Sequence, residues 1–485
     1  MVAAEAPLKE KTSISMTTSE VLEATGGRLI RGEPGMNFHG VSTDSRKLQQ
    51  GNLFVGLSGE NFDGQDFLTA AAEAGAAGFV IQRDAGETLS KIEGQPVILV
   101  KDTLKALGEI ARYWRKKLGV PVIAITGSSG KTTTKEMVAG ILSLKKKVLK
   151  TEGNFNNRIG LPLTLLRLTG QDEVAVVEMG TNMPGEIGCL TRIAEPDIGL
   201  ITNIGAAHLE KLGSLTSIRE EKGALFQNMD QRGIAIINRD DEALEILGQR
   251  WQGKRITFGR TTQDIDVSAR NVRMMDPAGL EFQLATRRGD RQVRMQVSGE
   301  HNLYNAMGAA AASLAFGADL DQVCRGLESF RAVPGRFEIR TLQNGLHVID
   351  DTYNANPSSV REALKTLAVL RGSGNSIVIL GDMLELGNNA VDWHRRIGQT
   401  VAETGVHSLY LIGDHGSETA AGAMEQRMPA SRIFFCKSPG QVQGELMSSL
   451  KPGDWVLVKG SRKMKMEHIV RMIIETFGLQ ERVAL

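Results

Sequence analysis

The residues with the clearest chemical signature form a glycine-rich segment, GSSGKTT, at residues 127–133. It follows the β-branched run VPVIAIT at 120–126, which is typical of a buried strand, and it leads into a segment of helical length. Two glycines let the backbone curl so that its N–H groups point at one anion, and a helix N-terminus adds positive potential. The pattern predicts a phosphate-binding loop in which Lys131 contacts the terminal phosphates of a nucleotide and the Thr132 hydroxyl ligates Mg²⁺.

This loop departs from the common phosphate-binding pattern. The pattern G-x-x-x-x-G-K-[ST] requires glycine at the position of Ile125, whereas the first glycine here is Gly127. A glycine-rich turn before an exposed helix is the alternative interpretation, but the preceding strand favours phosphate binding. The residues expected to surround the phosphates are Gly127, Ser128, Ser129, Gly130, Lys131, Thr132 and Thr133. The loop alone does not distinguish a ligase from a kinase or a motor.

Two ionisable residues follow later strand-like runs. Glu178 ends VAVVE at 174–178, a position where nucleotide enzymes often keep a carboxylate for the metal ion. His208 follows the run IGLITN at 198–203. Taken alone, the first could be a solvated strand-end acid and the second a structural histidine. In the same sheet as a phosphate loop, both become candidate Mg²⁺ ligands.

Three further segments place polar side chains near the ends of predicted elements. The sequence SIRE at 217–220 fits a capping box, which predicts that Lys222 lies in the first turns of a helix; the residues alone favour a solvated surface lysine. Asn302 and Asn305, three residues apart, could share one helical face or simply cap the helix. The segment DDTYNANP at 350–357 follows a strand and carries more polar groups than a simple turn needs.

A parallel sheet would bring these segments together. Strand-like runs at 174–178, 198–203 and 233–238 alternate with helix-length segments, which is typical of a parallel sheet buried on both faces. The alternation of strand-like and helix-length segments restarts after VPGR at 333–336, so the sequence predicts a second doubly wound sheet there. It also predicts a smaller α/β region before the phosphate loop. The stretch from about 255 to 297 alternates more and is predicted to be an antiparallel addition. In such sheets ligands collect beyond the carboxyl ends of the strands.

Composition limits the kind of partner. A length of 485 residues suggests about three domains, and 41% hydrophobic with 23% charged residues is typical of a globular protein. Lys plus Arg number 57 and Asp plus Glu number 56, so no large net charge would attract nucleic acid. The three cysteines are far apart, and no apolar run has the length of a membrane span. We therefore expect a cytoplasmic protein with no nucleic-acid partner and no membrane insertion.

Eight short motifs, taken in order, resemble the Mur ligases. They are GSSGKTT, TEGNFNNRIGLPLT, VVEMG, AAHLE, GEHNLYNA, VPGR, DDTYNANPSS and VLVKGSR, and the resemblance runs from about Val41 to Met472. Three segments, GVSTDSR, DTYNAN and GDMLELG, are most similar to the members that add a dipeptide to a UDP-linked muramoyl tripeptide. The resemblance implies an ATP-dependent ligase of peptidoglycan synthesis.

The resemblance also implies an architecture and a reaction. The fold would be α/β with three domains: a small N-terminal α/β domain for the UDP-muramoyl peptide (16–115), a central parallel-sheet ATPase domain (116–333) and a C-terminal Rossmann-like domain (334–485). Such ligases use ATP to phosphorylate the terminal carboxylate of UDP-N-acetylmuramoyl-tripeptide. The amine of D-alanyl-D-alanine then displaces phosphate through a tetrahedral intermediate. We expect ATP and two Mg²⁺ ions as cofactors, and a monomer.

Residue by residue, the resemblance implies roles at the matching positions. The residues implied in catalysis are Lys131, Glu178, His208 and Lys222, of which Glu178 and His208, with Thr132, would surround the two Mg²⁺ ions. Lys222 aligns with a lysine that family members carbamylate, which would make it an anionic metal ligand and reverses the surface interpretation. Asn302 would contact adenine, Arg336 the γ-phosphate and Asp351 the nucleotide. The residues implied in substrate binding are Ser42, Thr43, Arg46, Asn61, Asn154 and Asn157 for the UDP-muramoyl peptide, and Asn354 and Asn356 for the dipeptide.

Four alternatives compete with this interpretation. The Mur ligase that adds the third peptide residue carries, in its diaminopimelate-specific members, a DNPR motif that does not occur here. Folylpolyglutamate synthetase normally lacks the N-terminal domain, whereas this chain has a domain's length before its phosphate loop. A kinase or motor would turn over ATP without an amine acceptor, and a nucleotide-binding regulator would bind without turnover. The sequence does not tell whether the third peptide residue is lysine or diaminopimelate.

Overall fold

A computed structural model describes residues 14–59, 63–83, 86, 92, 94–275, 279–447 and 449–480. Three larger sheets of five, nine and six strands follow one another along these residues, and helices cover them. The predicted α/β class, with parallel sheets, is confirmed. Within the described ranges, no helix has both the length and the apolar character needed to cross a membrane.

The first sheet lies before residue 100. The strands of this region are β1 (Met16–Thr17), β2 (Arg28–Arg31), β3 (Asn37–Phe38), β4 (Val41–Ser42), β5 (Leu53–Val55), β6 (Gly78–Ile81) and β7 (Val97–Leu99). Its helices are α1 (Thr18–Thr25) and α2 (Leu68–Glu73), with short 3-10 helices at Ser45–Lys47 and Gly64–Phe67. The sheet order is β2-β7-β6-β5-β4, with β2 antiparallel to β7 and the other pairs parallel, while β1 pairs with β3.

Helix α3 (Thr103–Leu118) joins the first sheet to the second. Asp102 caps its start by accepting a hydrogen bond from the Lys105 backbone N–H at 2.9 Å, and Gly119, with φ of +65°, ends it. The indole of Trp114 donates a buried hydrogen bond to the carbonyl of Leu168 at 2.9 Å. One apolar core therefore continues from the first sheet through α3 to one face of the second, and α3 crosses the predicted boundary at 115/116.

The second sheet carries the phosphate loop. Its strands are β8 (Val122–Thr126), β9 (Val148–Lys150), β10 (Val174–Glu178), β11 (Ile198–Ile201), β12 (Ile234–Asn238), β13 (Lys254–Gly259), β14 (Val267–Met275), β15 (Gly279–Thr286) and β16 (Gly289–Met295). Its helices are α4 (Lys131–Ser143), α5 (Gly160–Leu165), α6 (Glu186–Ala194), α7 (Leu209–Leu212), α8 (Leu215–Asn228), α9 (Glu242–Arg250), α10 (Glu300–Phe316) and α11 (Leu320–Ser329). The order is β16-β15-β14-β13-β12-β11-β8-β10-β9, parallel from β9 to β14. The predicted antiparallel addition is confirmed for the β14-β15 and β15-β16 pairs, but β13, which begins the predicted stretch, is parallel to β12 and β14.

The third sheet begins after the Pro-Gly. Its strands are β17 (Glu338–Thr341), β18 (His347–Asp351), β19 (Ser376–Gly381), β20 (Ser408–Ile412), β21 (Ile433–Cys436) and β22 (Trp455–Lys459). Its helices are α12 (Pro357–Leu370), α13 (Ala390–Glu403), α14 (Gly416–Glu425), α15 (Pro439–Leu446) and α16 (Glu467–Phe477), with 3-10 helices at Gly387–Asn389, Ala430–Arg432 and Arg462–Met464. The order is β17-β18-β22-β19-β20-β21, and only β17 is antiparallel to its neighbour.

Strand register explains why the chemically interesting loops meet. Glu178 at the end of β10 pairs with Ile125 of β8, and the end of β11 pairs with Thr126, so the loops after these three strands leave one edge. In the third sheet, Asp351 at the end of β18 pairs with Lys459 at the end of β22. Side chains of the segment between β11 and α8 lie in the apolar core of the third sheet, which holds the two edges against each other.

Candidate active site

The glycines of the phosphate loop are required by its geometry. Gly127 has φ of +147°, and a Cβ atom there would lie 1.8 Å from the Thr202 hydroxyl oxygen. Gly130 has φ of +78°, and a Cβ atom there would lie 2.2 Å from Oδ1 of Asn305. Helix α4 begins at the next residue, Lys131, so the N–H groups of its first turn face the loop. Neither of these two positions can therefore accommodate a residue with a side chain without a shift of the loop.

Asn203, for which the motifs predict no role, holds this loop in place. Its Oδ1 accepts a hydrogen bond from the Ser129 backbone N–H at 3.0 Å, and its Nδ2 donates to the Ser129 carbonyl at 3.2 Å. The Ser128 hydroxyl donates to the carbonyl of Gly205 at 2.9 Å. The loop after β11 therefore braces the loop after β8. The only sequence signal is the polar ending of the run IGLITN.

Lys131 lies inside the loop. Its ammonium donates a hydrogen bond to the Gly127 carbonyl at 2.8 Å. Burial lowers the pKa of Lys131, the carboxylate of Glu178 raises it, and the nearby Arg336 guanidinium lowers it. The ammonium is thus held where the loop backbone and a second cationic side chain converge, an arrangement suited to a polyanion.

Glu178 lies next to the loop and is almost fully buried. Its two carboxylate oxygens accept hydrogen bonds from the Thr132 hydroxyl and from Nδ2 of Asn156, each at 2.8 Å. The motifs point to Asn154 and Asn157, which line the same cleft, but not to Asn156 between them. Asn157 uses its Oδ1 to accept the Gly160 backbone N–H at 2.8 Å at the start of α5. The sequence does not reveal which asparagine contacts Glu178, because three asparagines occur within four residues.

Both expectations for Lys222 from its local sequence are wrong. Helix α8 is capped by Ser214, whose hydroxyl accepts the Ser217 backbone N–H at 3.1 Å, so the helix begins before the predicted capping box and Lys222 lies in its middle. Lys222 is 1% exposed, so it is not a surface lysine. Burial lowers its pKa well below the usual value, with a further contribution from the charge of Lys131, while Glu221 opposes the shift.

His208 contacts the third sheet's region rather than the loop. Its Nδ1 lies 2.6 Å from Oε2 of Glu385, which follows β19. The hydrogen bond from His208 lowers the pKa of Glu385. His208 precedes α7 and has φ of +54°, a left-handed conformation that is uncommon for a residue with a side chain.

The start of α10 provides a polar wall. Asn302 donates to the Ser298 carbonyl at 2.8 Å and accepts from Nδ2 of Asn305 at 3.4 Å, so the two amides share one helical face as expected. His301 packs edge-on against Phe337 with ring centroids 5.2 Å apart, and its Nδ1 is buried without a hydrogen-bond partner among the described residues. Burial, together with the charge of Lys459, lowers the pKa of His301 to about 4. Its imidazole is therefore neutral at ordinary pH.

The third sheet contributes charged side chains to the same place. Lys459 is 2% exposed, and its ammonium lies 2.5 Å from Oδ2 of Asp351. The guanidinium of Arg336 lies over the ring of Tyr353 at 4.0 Å from its centroid. Lys459 and Tyr353 are not among the predicted site residues, although both lie in motifs that carry the family resemblance.

One cleft of about 990 Å³ connects these groups. The predicted residues along its wall are Ser128, Ser129, Gly130, Lys131, Thr133, Asn154, Asn157, Glu178, His208, Asn302, Arg336, Asp351, Asn354 and Asn356. Asn356 caps α12 by accepting the Ser359 backbone N–H at 2.9 Å, and Oδ1 of Asn354 accepts the Ala355 backbone N–H at 3.0 Å. The structure therefore brings most of the predicted site together between the second and third sheets.

A smaller group of predicted residues does not line this cleft. Gly127, Thr132 and Lys222 are not among the residues that line it. Ser42, Thr43 and Arg46 lie on the first sheet's unit, where Arg46 is 87% exposed and pairs with Asp44 at 2.9 Å. Asn61 lies outside the described residues.

The side chains around Glu178 suit magnesium better than a transition metal. A carboxylate and a hydroxyl supply hard oxygen donors, the kind Mg²⁺ prefers. Among the residues that the structure describes, no three His, Cys, Asp or Glu side chains cluster to form a complete cage. A magnesium ion here would need phosphate oxygens and water as its remaining ligands, as is usual for this ion.

Comparison with known proteins gives one consistent family. Residues 37–115 match the Mur ligase family catalytic domain, residues 125–313 the Mur ligase middle domain, and residues 335–462 the Mur ligase glutamate ligase domain. The UDP-N-acetylmuramoyl-tripeptide--D-alanyl-D-alanine ligase of Escherichia coli is 37% identical over 469 residues, which cover 95% of this chain and 99% of that protein.

Solved structures agree with the sequence relatives. A crystal structure of MurF from Acinetobacter baumannii superposes with a TM-score of 0.88 at 31% identity and covers 96% of this chain and 100% of that one. MurF ligase from Thermotoga maritima, solved in complex with ADP, gives a TM-score of 0.79 at 28% identity and covers 90% of this chain and 97% of that one.

Proposed function

Because the chain belongs to the Mur ligase family, we propose that it joins D-alanyl-D-alanine to UDP-N-acetylmuramoyl-tripeptide in a reaction driven by ATP, releasing ADP and phosphate. The relatives that carry this activity in their names extend over nearly the whole chain. The observation that carries the proposal is the cleft, which has a phosphate loop on one wall and Arg336, Asp351 and Lys459 from another sheet on the other. The reacting groups of a nucleotide and two substrates would meet in this cleft.

The phosphate loop binds the ATP phosphates in this proposal. Backbone N–H groups at the start of α4 face the β- and γ-phosphates, and the Lys131 ammonium exchanges the Gly127 carbonyl for phosphate oxygen. Arg336, whose charge already acts on Lys131, lies on the opposite side and binds the γ-phosphate. The cationic groups stabilise the negative charge that spreads over the transferred phosphoryl group.

Residues around Glu178 hold magnesium in this proposal. Thr132 and Glu178 provide oxygen ligands, and Asn156 orients the carboxylate from its far side. His208 contributes an imidazole nitrogen to a second ion. Bound Mg²⁺ would neutralise the repulsion between the ATP phosphates and the incoming carboxylate.

Lys222 becomes a metal ligand only after modification. Burial and the charge of Lys131 lower the pKa of Lys222, which favours the neutral amine, and only the neutral amine attacks carbon dioxide. The nitrogen lone pair forms the new C–N bond, one amine proton leaves to water, and the product is a carbamate with one negative charge. The amine, whose protonated form is costly to bury, is thereby replaced by an anion suited to magnesium.

Substrate contacts complete the proposal. Asn302 on α10 contacts adenine, and Asp351, fixed by Lys459, contacts the nucleotide from the third sheet's unit. Asn354 and Asn356, which lie on the cleft wall, contact D-alanyl-D-alanine, and Asn154 and Asn157 contact the peptide-bearing end of the other substrate. Ser42, Thr43 and the exposed guanidinium of Arg46 bind the UDP portion.

The chemical steps follow from these positions. The terminal carboxylate of the tripeptide attacks the γ-phosphorus of ATP, ADP leaves, and an acyl phosphate forms. The neutral amine of D-alanyl-D-alanine attacks its carbonyl carbon, and the tetrahedral intermediate collapses with loss of phosphate and a proton. Positioning of the three reactants in one cleft accounts for much of the acceleration. The expectations of a monomer and of a cytoplasmic location stay predictions.

The test follows ADP release while each substrate is omitted in turn. Complete mixtures should release ADP in step with formation of UDP-N-acetylmuramoyl-pentapeptide, and omission of either the tripeptide substrate or the dipeptide should nearly stop the release. Full-rate ATP hydrolysis without the dipeptide would contradict a ligase and favour a kinase or motor. A parallel series with lysine- and diaminopimelate-containing tripeptides identifies the third peptide residue.

A further inference from the structure

The contact between His208 and Glu385 joins two sheets that are far apart in sequence. His208 precedes α7 beside the second sheet, whereas Glu385 follows β19 of the third sheet, 177 residues later. The carboxylate oxygen lies 2.6 Å from Nδ1 of the imidazole. Both residues line the cleft, and the side chain of Glu385 is half exposed, so the contact is not explained by burial of an apolar core.

The backbone is shaped on both sides to make this contact. His208 has φ of +54° and Glu385 has φ of +64°, and both are left-handed conformations that a residue with a side chain adopts rarely. The Glu385 carbonyl accepts a hydrogen bond from the Glu210 backbone N–H at 3.1 Å. Gly387 lies against Glu210 closely enough that a Cβ atom there would be 3.1 Å from its Cα. The two loops therefore fit together with backbone contacts around the side-chain pair.

The chemistry of the pair fixes which nitrogen of His208 is free. A carboxylate only accepts hydrogen bonds, so the proton of a neutral imidazole must be on Nδ1, and Nε2 keeps its lone pair. This arrangement is the one that orients histidine ligands in many metal sites, where a carboxylate holds the other ring N–H.

We propose that Glu385 is a positioning residue, which holds His208 in the Nδ1–H tautomer so that Nε2 is available as a magnesium ligand. The proposal rests on the proposed role of His208 in metal binding. It also assigns a task to the segment GDMLELG, which carries part of the family resemblance but has no other role in the site. Because Glu385 belongs to the third sheet's unit, the metal ligand is oriented only when that unit is docked on the second sheet.

The first measurement is the tautomer of His208 by ¹⁵N NMR of selectively labelled histidines in alkaline buffer, with His208→Gln to assign the signal. The full-length wild type should give the Nδ1–H pattern. Glu385→Ala should shift the signal toward the Nε2–H form that free imidazoles favour. Glu385→Gln, whose amide oxygen still accepts a hydrogen bond, should retain much of the wild-type pattern. Glu210→Gln is the matched control, since it removes an exposed carboxylate from the same interface, and it should leave the tautomer unchanged.

The second measurement is Mn²⁺ binding to the protein saturated with a non-hydrolysable ATP analogue, followed by the EPR signal of free Mn²⁺. Glu385→Ala should weaken binding by about 10- to 100-fold, the usual effect of removing such a partner, and Glu210→Gln should not. An unchanged tautomer in Glu385→Ala, or unchanged Mn²⁺ affinity, overturns the positioning role. A wild type that releases ADP without the dipeptide would instead overturn the proposed function and leave the tautomer result standing.

Discussion

The ammonium of Lys459 lies 2.5 Å from the carboxylate of Asp351, and the two residues are paired at the carboxyl ends of adjacent parallel strands. Lys459 also donates a hydrogen bond to the Asn354 carbonyl at 3.0 Å, and Asp351 accepts the Phe337 backbone N–H at 3.1 Å. Both charges are therefore held by further hydrogen bonds at the edge of the cleft. The pair therefore sets the positions of the charged side chains that the third sheet presents to the cleft.

Breaking this pair on one side should be more harmful than removing it. Asp351→Asn keeps the shape but leaves the Lys459 ammonium buried without its counter-charge, and we expect a loss of roughly 3–5 kcal/mol in the free energy of unfolding. The double variant Asp351→Asn/Lys459→Met should recover most of that loss. Urea unfolding of the wild type, both single variants and the double variant measures the coupling. Equal stability of the Asp351→Asn and double variants would contradict the buried-pair interpretation.

Gly127 should not tolerate a side chain. In Gly127→Ala the new Cβ would lie 1.8 Å from the Thr202 hydroxyl oxygen at a backbone φ of +147°, so the phosphate loop must distort. We expect nucleotide binding, measured by calorimetric titration with ATP, to be lost. Gly140→Ala is the matched control, because Gly140 lies inside α4 with open space where its Cβ would point, and alanine there should be neutral or stabilising by up to about 1 kcal/mol.

Lys131→Ala should remove the charge that stabilises the transferred phosphoryl group. ADP release in the complete reaction should fall by at least about 10². The exposed Lys145, which pairs with Asp319 at 2.5 Å outside the cleft, provides the control variant Lys145→Ala, which should keep wild-type turnover. Near-normal activity of Lys131→Ala would refute its role.

Lys222→Ala should inactivate the enzyme in a way that small molecules can reverse. If a carbamate is the functional group, added acetate or propionate should restore part of the activity by occupying the space left by the side chain. The exposed Lys211 gives the control Lys211→Ala, which should be active without additives. Incubation of the wild type with ¹³C-labelled bicarbonate should also give a carbamate NMR signal that is missing in Lys222→Ala. Full activity of Lys222→Ala without additives would count against any role in metal binding.

His301 should make stability depend on pH. The pKa is about 4 in the folded protein because of burial and the Lys459 charge, against 6.5 for an unperturbed histidine. As the pH falls from about 6.5 towards about 4, the unfolded chain binds a proton that the folded protein does not, so the folded state loses at most roughly 3 kcal/mol.

The measurement compares wild type with His301→Phe, which keeps a ring beside Phe337 but cannot titrate. Urea unfolding between about pH 7 and pH 4.5 should show that the free energy of unfolding of the variant rises relative to that of the wild type as the pH falls. The exposed His468 supplies the control His468→Gln, for which no such trend is expected. Parallel curves for wild type and His301→Phe would mean that His301 is protonated equally well in both states.

The parts of the fold that the sequence predicts well depend on local patterns. The strand at 174–178 has the predicted limits because its valine-rich run ends at the polar residue Glu178. Asn302 and Asn305 share a helical face because their spacing is less than one turn. The phosphate loop is recognisable because its glycines and lysine are contiguous.

The parts that escape prediction depend on partners that are distant in sequence. Asn203 braces a loop 74 residues before it, and Lys459 pairs with a carboxylate 108 residues before it, so neither role has a local signature. The start of α8 is predicted too late because two serines three residues apart both suit a cap, and Ser214 takes that position. Lys222 is buried in the middle of α8, a helix that packs against α6, and the residues around it in sequence do not reveal this.

The apolar core that continues from the first sheet through α3 into the second limits where the first unit can be exchanged between related proteins. A splice at 115/116 would cut α3 within its last turn and would leave Trp114 without the Leu168 carbonyl. A fragment ending there would expose to water a face that the second sheet now covers, and such a surface invites aggregation. Grafting the first-sheet unit of another Mur ligase onto this chain would therefore require transplanting the whole of α3 together with the residues that pack against it.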